Sequence, residues 1–332
     1  MRQLASIQKI KHLEAIENAE AIERATVLGW QLVVKKGEFQ VGEMCVYVEI
    51  DAILPEKPEF EFLRPRNFRI RTIRLRGQIS QGICFPLSVL PEGTAVEEGA
   101  DVTDLLGITK YEPPMPAQLA GVAKGLFPSF IPKTDETRVQ VLEGLLRQYA
   151  GTTCFVTEKL DGSSATFYWK DGVFGVCSRN LELIESADNS YWEFARQRNL
   201  PEKMAQLGKN MAIQGEIVGE GIQKNKYKLR GVTVFFFNAF DIDAYRYLDF
   251  EDFLDTMATL GLETVPVLDH EFVLNPNIPA LVEYAVGRSV LNADAHREGV
   301  VIRPLREQTA RNLGRVSFKA INPEFLLKYE DS

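Results

Sequence analysis

In the first hundred residues, apolar and polar positions alternate in short runs bounded by turn-forming residues. ASIQKIKHL, ERATVLGWQLVVKKG, MCVYVEIDAIL, FRIRTIRLRG and QGICFPL are rich in β-branched and aromatic side chains. That period of two predicts five short strands with one face buried. Between the first two, AIENAEAIE predicts a short helix or a turn. Five strands in so short a span suit a small closed barrel. OB-fold and SH3-like barrels both fit the pattern.

The pattern changes after residue 106. GITKYEPPMPAQLAGVAKGLFPSFIPK, residues 107–133, is rich in proline and glycine and predicts a linker or an extended segment lying over one domain. Thr134-Asp135-Glu136 then predicts a cap for a helix through VQVLEGLLRQY. Strand patterns return at TTCFVTEKL, at ATFYWK and VFGVCSRN joined by Asp171-Gly172, and at MAIQGEIVG, VTVFFFNAFDI, GVVIRPL and RVSFKAI. Helices are predicted in SADNSYWEFARQRN, LDFEDFLDTMATLG and NPNIPALVEYAVGRSV. Hairpins between the first strands favour an antiparallel sheet, hence an α+β domain. The predicted organisation is a barrel over 1–108, a linker and connecting helix over 109–150, and an α+β domain over 151–332.

Composition adds limits. The formal charge of −8 over 332 residues is spread along the chain, so a nucleic-acid partner needs a local basic surface. Four cysteines lie far apart with no C-x-x-C pair, which argues against a zinc site or a disulfide framework. Three histidines make a His-based triad a poor candidate. No apolar run reaches membrane-spanning length, so a cytoplasmic protein with no membrane partner is expected.

Several ionisable residues sit in or beside predicted strands. Lys159 and Asp161, in TEKLDGSS, are two apart and share a face of a continuous strand. Glu216 follows an apolar strand start and is flanked by glycines, Glu298 precedes the apolar run GVVI, and Lys319 is embedded in VSFKAI. Each alone fits a surface charge or a structural ion pair. Their order along the chain distinguishes them.

Lys159-Leu160-Asp161-Gly162, Ser178-Arg179-Asn180, Gly215-Glu216, the strand FFFNAFDI, Glu298 to Val301 and SFKAIN stand in the motif order of the covalent nucleotidyltransferases. With an N-terminal barrel, FPSFIPKTDETRVQ and GEIVGEGIQKNKY, the chain most resembles ATP-dependent RNA ligases with an N-terminal OB domain, the fifth RNA-ligase family. Only 13 residues follow Lys319, too few for the C-terminal OB domain of related DNA ligases and capping enzymes.

The resemblance implies that Lys159 attacks ATP to form lysyl-AMP, that AMP passes to an RNA 5′-phosphate, and that a 3′-hydroxyl then joins that end. It further implies that Asp161, Glu216 and Glu298 hold Mg²⁺ or Mn²⁺, directly or through water. Lys319 would meet the α-phosphate, Arg179 a phosphate, and Phe240 the adenine. Glu158 would belong to the nucleotide site, Glu216 would also reach the ribose, and Arg138, on the predicted helix, would orient pyrophosphate. The family commonly has K-x-K in the final motif, whereas Ser317-Phe318-Lys319 has one lysine, leaving Arg315 or Lys328 as substitutes.

Six arginines between 64 and 76, with no acid among them, suggest a phosphate-binding stripe on a barrel strand. Arg69, Arg71, Arg74 and Arg76 are its candidates, with Lys224 and Lys226 as a second track. The alternative is self-neutralisation by the acids of EKPEFEF. The expected partners are RNA ends, including nicked duplexes, bound by a monomer. A DNA nick sealer and a non-catalytic OB-type binder are the competing functions.

Overall fold

A computed structural model describes residues 3–112, 123–311 and 313–329. The chain divides into two compact units, Met1–Pro114 with Gln140–Glu143 and Pro323–Ser332, and Met115–Val139 with Gly144–Asn322. The last helix, Pro323–Tyr329, therefore belongs with the first unit, although it follows the second in sequence.

The first unit contains an antiparallel five-stranded sheet in the order Trp30–Lys35, Ile22–Val27, Ala5–Ala15, Met44–Val48, Ile83–Phe85. Ala5–Ala15 serves two neighbours. Ala5 to Lys9 pair with Met44–Val48, and after a register shift between Ile10 and His12 its second half pairs with Ile22–Val27. Such an irregularity bends a strand, as a barrel requires. The hairpin of Thr72–Leu75 and Gln78–Gln81 extends the wall, with Ser80 Oγ accepting from Val33 N–H at 3.0 Å. Trp30, Tyr47, Ile7, Ile10 and Leu32 fill the interior. AIENAEAIE is a turn leading into Ile22–Val27.

The second unit has two sheets. One has seven strands in the order Ala123–Leu126, Leu181–Leu183, Val173–Cys177, Ser163–Lys170, Met211–Gly219, Val232–Asp241, Arg246–Tyr247. The other runs Thr137–Arg138, Phe318–Ile321, Gly299–Pro304, Thr153–Lys159, Val267–Val273. All of these pairings are antiparallel except Thr137–Arg138 with Phe318–Ile321. The predicted hairpin turns at Asp171 and Gly172, both at positive φ, as a two-residue turn of this twist demands.

One core joins the two sheets to helices Ser190–Gln197, Leu200–Gln206 and Phe250–Leu260. At its centre Phe155 stacks on Phe250, with ring centroids 3.9 Å apart. Asn189 caps the first of these helices, accepting from the backbone N–H of Tyr191 and Trp192 at 3.0 and 3.3 Å.

Two expectations change. The predicted connecting helix is reduced to Glu143–Gln148, preceded by a 3₁₀ turn at Val139–Val141 and the short strand Thr137–Arg138. The extended edge of Phe318–Ile321 takes this backbone as a parallel partner, overriding the helical pattern. Of the proline-rich linker, residues 113–122 lie outside the described residues. Ala123–Leu126 is an edge strand paired with Leu181–Leu183. Among the described residues, no helix is long and apolar enough to cross a membrane.

Gly82 gives a test of the barrel. Its φ is +100°, and an added Cβ would fall 2.5 Å from the Tyr47 ring. Gly82→Ala should destabilise the first unit by roughly 2–4 kcal/mol, from overpacking together with backbone strain. Calorimetry should show this as a lower melting temperature; an unchanged one would contradict this packing.

Candidate active site

Lys159 closes the strand Thr153–Lys159, where the register sets it opposite Gly299. On the other side of Gly299–Pro304, Val301 faces Lys319, and Arg138 lies opposite Lys319 in the next strand. Backbone pairing thus places three cationic residues on one sheet, Arg138 and Lys319 on adjacent strands and Lys159 one strand beyond Gly299–Pro304. Glu298 stands just before Gly299–Pro304, where its carbonyl accepts from Asn322 N–H at 2.9 Å. The Lys159 ammonium donates to both Glu298 carboxylate oxygens, at 2.7 and 2.6 Å.

The turn after Lys159 reaches the second sheet. Gly162 N–H donates to Glu216 Oε1 at 3.1 Å. A Cβ at Gly162 would lie 2.3 Å from the Ile217 carbonyl oxygen, so a side chain there would force the two strands apart. The glycine of Lys159-Leu160-Asp161-Gly162 is therefore needed for close approach. Between them, Asp161 N–H donates to the Tyr227 hydroxyl at 2.7 Å, and the Asp161 carboxylate pairs with the Lys226 ammonium.

Of these groups Lys159 and Glu216 line an open cleft, together with Thr134, Glu136, Thr157, Glu158, Leu160, Phe237, Val265, Val301 and Arg303. Burial disfavours the Lys159 ammonium, but Glu298, Glu216 and Asp161 outweigh it and hold the lysine's pKa above its usual value. Burial pushes Glu216 up to about 8, with Glu298 and Asp161 adding to the effect and Lys159 opposing it.

Other predicted residues lie elsewhere. Glu158 borders the cleft but, as Lys159's neighbour in a strand, turns its side chain to the opposite face. There its carboxylate accepts from Val290 N–H at 2.8 Å, and burial raises its pKa. Arg138 is on the strand beside Lys319, not on a helix. Arg179 pairs with Asp135 at 2.7 Å and does not line the cleft. Phe240 is buried in an aromatic cluster, edge-on to Tyr245 and Tyr247. Phe237 is the ring of that strand which lines the cleft, at an irregularity in the pairing between Gln214 and Gly215. The family resemblance pointed to Phe240 by its place before Asp241, whereas Phe237, at the bulge, is the ring that reaches the cleft.

The arginine stripe is broken up as well. Arg69 is buried, 3.3 Å from Asp51 and stacked 3.6 Å from the Tyr111 ring centroid. Arg64 pairs with Glu56 and Glu61 of the predicted acidic stretch, and Arg74 with Glu324. Only Arg74 of the six lies inside Thr72–Leu75; Arg71 precedes it, and Arg76 is exposed in the following turn. Lys224 is exposed, whereas Lys226 turns back to Asp161.

Arg303 was not singled out by sequence. Its guanidinium donates to Ser317 Oγ at 2.8 Å, the Phe237 carbonyl at 3.1 Å and Glu136 at 2.9 Å, and it helps line the cleft. An arginine inside the apolar run GVVIRP was the available signal. Ser317 is thus part of the arginine network. Arg315 is committed to Glu307 and stacks 3.7 Å from the Tyr247 centroid. Lys328 lies in the last helix, which belongs with the first unit.

Known proteins show the same two-part organisation. A family model described as RNA ligase matches residues 152–321, and one described as an OB-fold domain matches residues 4–87. Three solved structures of Naegleria gruberi RNA ligase are similar to this chain. A lysine-to-alanine mutant with ATP and Mn is 40% identical, covering 99% of this chain and 100% of that one, with a TM-score of 0.92. The enzyme with PPi is 41% identical over 100% of both chains, with a TM-score of 0.92. A glutamate-to-alanine mutant with ATP and Mn is 40% identical over 99% and 100%, with a TM-score of 0.91. The two residues mutated in that enzyme have the same spacing as Lys159 and Glu216 here. No curated protein matches. The match to the RNA ligase model and the full-length likeness to solved ligases, at 40–41% identity, place the chain among the nucleic-acid ligases. The chain belongs to the RNA ligase family.

Glu216 predicts a pH dependence. Its folded pKa lies above its ordinary value, so the folded chain binds more protons between about pH 4.5 and 8 and loses stability as pH rises through that window. In chelator, Glu216→Gln should gain stability over the parent across this window, by on the order of 1–3 kcal/mol, with no further gain above pH 8. Denaturant titrations at stepped pH check this; a constant difference would contradict the burial of a charge at Glu216.

Proposed function

We propose that the chain is an ATP-dependent RNA ligase that joins 3′-hydroxyl and 5′-phosphate ends, including those at a nick, through lysyl-AMP on Lys159. The observation that carries this reading is the Lys159 ammonium on the two Glu298 oxygens at the cleft, with Glu216 and Asp161 alongside. The ATP, Mn and PPi in the Naegleria gruberi structures support it.

Lys159 Nζ, once deprotonated, would form a bond to the α-phosphorus as the bond to pyrophosphate breaks. An RNA 5′-phosphate oxygen would then take AMP from the lysine, restoring its amine. Finally a 3′-hydroxyl would attack the RNA 5′-phosphorus, forming the phosphodiester and releasing AMP. Lys319, on the strand next to Glu298's, would stabilise charge at the reacting phosphate. Phe237 offers the adenine an apolar wall in place of Phe240.

Among the described residues, no three acidic, histidine or cysteine side chains form a direct metal cage. The carboxylates around Lys159 instead fit a hydrated Mg²⁺ or Mn²⁺ held by Asp161, Glu216 and Glu298 through its waters. Such a cation would favour the neutral lysine and offset charge on the α-phosphate.

Lys159→Ala should fail to join 5′-phosphate RNA with ATP, yet still seal a nick whose 5′ end is supplied already adenylylated. Gel analysis of both substrates, with RNA and DNA 3′-hydroxyl strands in competition, checks this. Sealing of the 5′-phosphate substrate by Lys159→Ala would contradict the proposed nucleophile, and preference for DNA would favour the DNA nick-sealing alternative.

A further inference from the structure

Asp161 already has a cation of the chain's own. Lys226 is held in place to reach it. Its loop leaves the strand Met211–Gly219 and turns through Gln223, Lys224 and Asn225, all at positive φ. Asn225 ties the loop off, donating to the Leu229 carbonyl at 2.8 Å and accepting from Leu229 N–H at 3.0 Å. Tyr227, buried next to Lys226, accepts from Asp161 N–H at 2.7 Å. From the other side, Asn292 donates to the Lys226 carbonyl at 2.8 Å. The paired Lys226 and Asp161 side chains are only 12% and 20% exposed.

A lysine ammonium and a hydrated divalent cation both seek the carboxylate oxygens. With Lys159 on Glu298 and Lys226 on Asp161, two of the three carboxylates read as cation-holding already carry a positive partner. The negative charge that would draw a dication into the cleft without nucleotide is thereby reduced. Nucleotide phosphates reverse this, because they attract both the dication and the ammonium.

We propose that Lys226 competes with the divalent cation for Asp161, so that the cation is held firmly only when nucleotide phosphates are present. Lys226 is then a positioning residue that couples cation loading to ATP, not part of the RNA-binding track. This rests on the reading that Asp161 serves the cation.

The test measures Mn²⁺ binding directly, from the electron paramagnetic resonance signal of the free ion, on the full chain. It is run without nucleotide and with an ATP analogue carrying a methylene between the α- and β-phosphates. Without nucleotide, Lys226→Met should bind Mn²⁺ about fivefold more tightly than the parent. With the analogue, the difference should shrink to less than about twofold. Lys226→Arg, which keeps the charge, should stay near the parent in both states. Lys226→Gln gives the same comparison if methionine impairs folding, and circular dichroism checks each variant. Equal or weaker Mn²⁺ binding by folded Lys226→Met and Lys226→Gln without nucleotide overturns the competition. Asp161→Asn separates the two ideas: unchanged Mn²⁺ affinity in that variant removes Asp161 from the cation site, and both the proposal and its premise fail.

Discussion

The site depends on one electrostatic constraint, a lysine ammonium held on two carboxylate oxygens at the edge of a cleft. The Lys159–Glu298 contact neutralises a partly buried lysine and a partly buried carboxylate, each of which would be costly to leave alone. It also keeps the amine protonated, which is the wrong state for a nucleophile. The lysine and its carboxylate thus satisfy each other's charge. Freeing the amine calls for a second source of positive charge, which is the part a divalent cation would play.

Backbone pairing makes the arrangement accurate. Lys159, Glu298, Lys319 and Arg138 are placed by the registers of one sheet, while Glu216 comes from the middle of another. The turn at Gly162 connects the two, and the contact is close because no side chain intervenes. Beneath the cleft, Arg303 ties together Glu136, Ser317 and the Phe237 carbonyl, fixing the bulge that presents Phe237. The site thus sits on hydrogen-bonded strands, with one loop contributing Lys226.

What sequence could show follows from the same physics. The barrel strands were legible because a half-buried strand repeats every two residues. The convergence of Lys159, Asp161, Glu216 and Glu298 was legible because each stands in or beside such a strand, in a recognisable order. Phe240 was expected from its motif position before Asp241, and a run of aromatic residues gives no sign of which ring a bulge will turn to the cleft. Arg138 was misplaced because a strand edge distant in sequence captured its backbone from a helical pattern. Lys226 was read with Lys224 as a phosphate-binding track because three successive positive-φ residues without glycine leave no sequence signal of the turn back to Asp161. The arginine stripe is split for a different reason. Its partners include Asp51, Tyr111 and Glu324, distant in sequence and brought near only by folding.

The central claim is that Lys159 is a nucleotide-accepting nucleophile, and intact mass measures it most directly. After incubation with ATP and Mg²⁺ in the absence of nucleic acid, the chain should gain the mass of one AMP. The adduct should be acid-labile and absent from Lys159→Ala. No gain with Mg²⁺ or Mn²⁺, or an adduct that persists in Lys159→Ala, would contradict it.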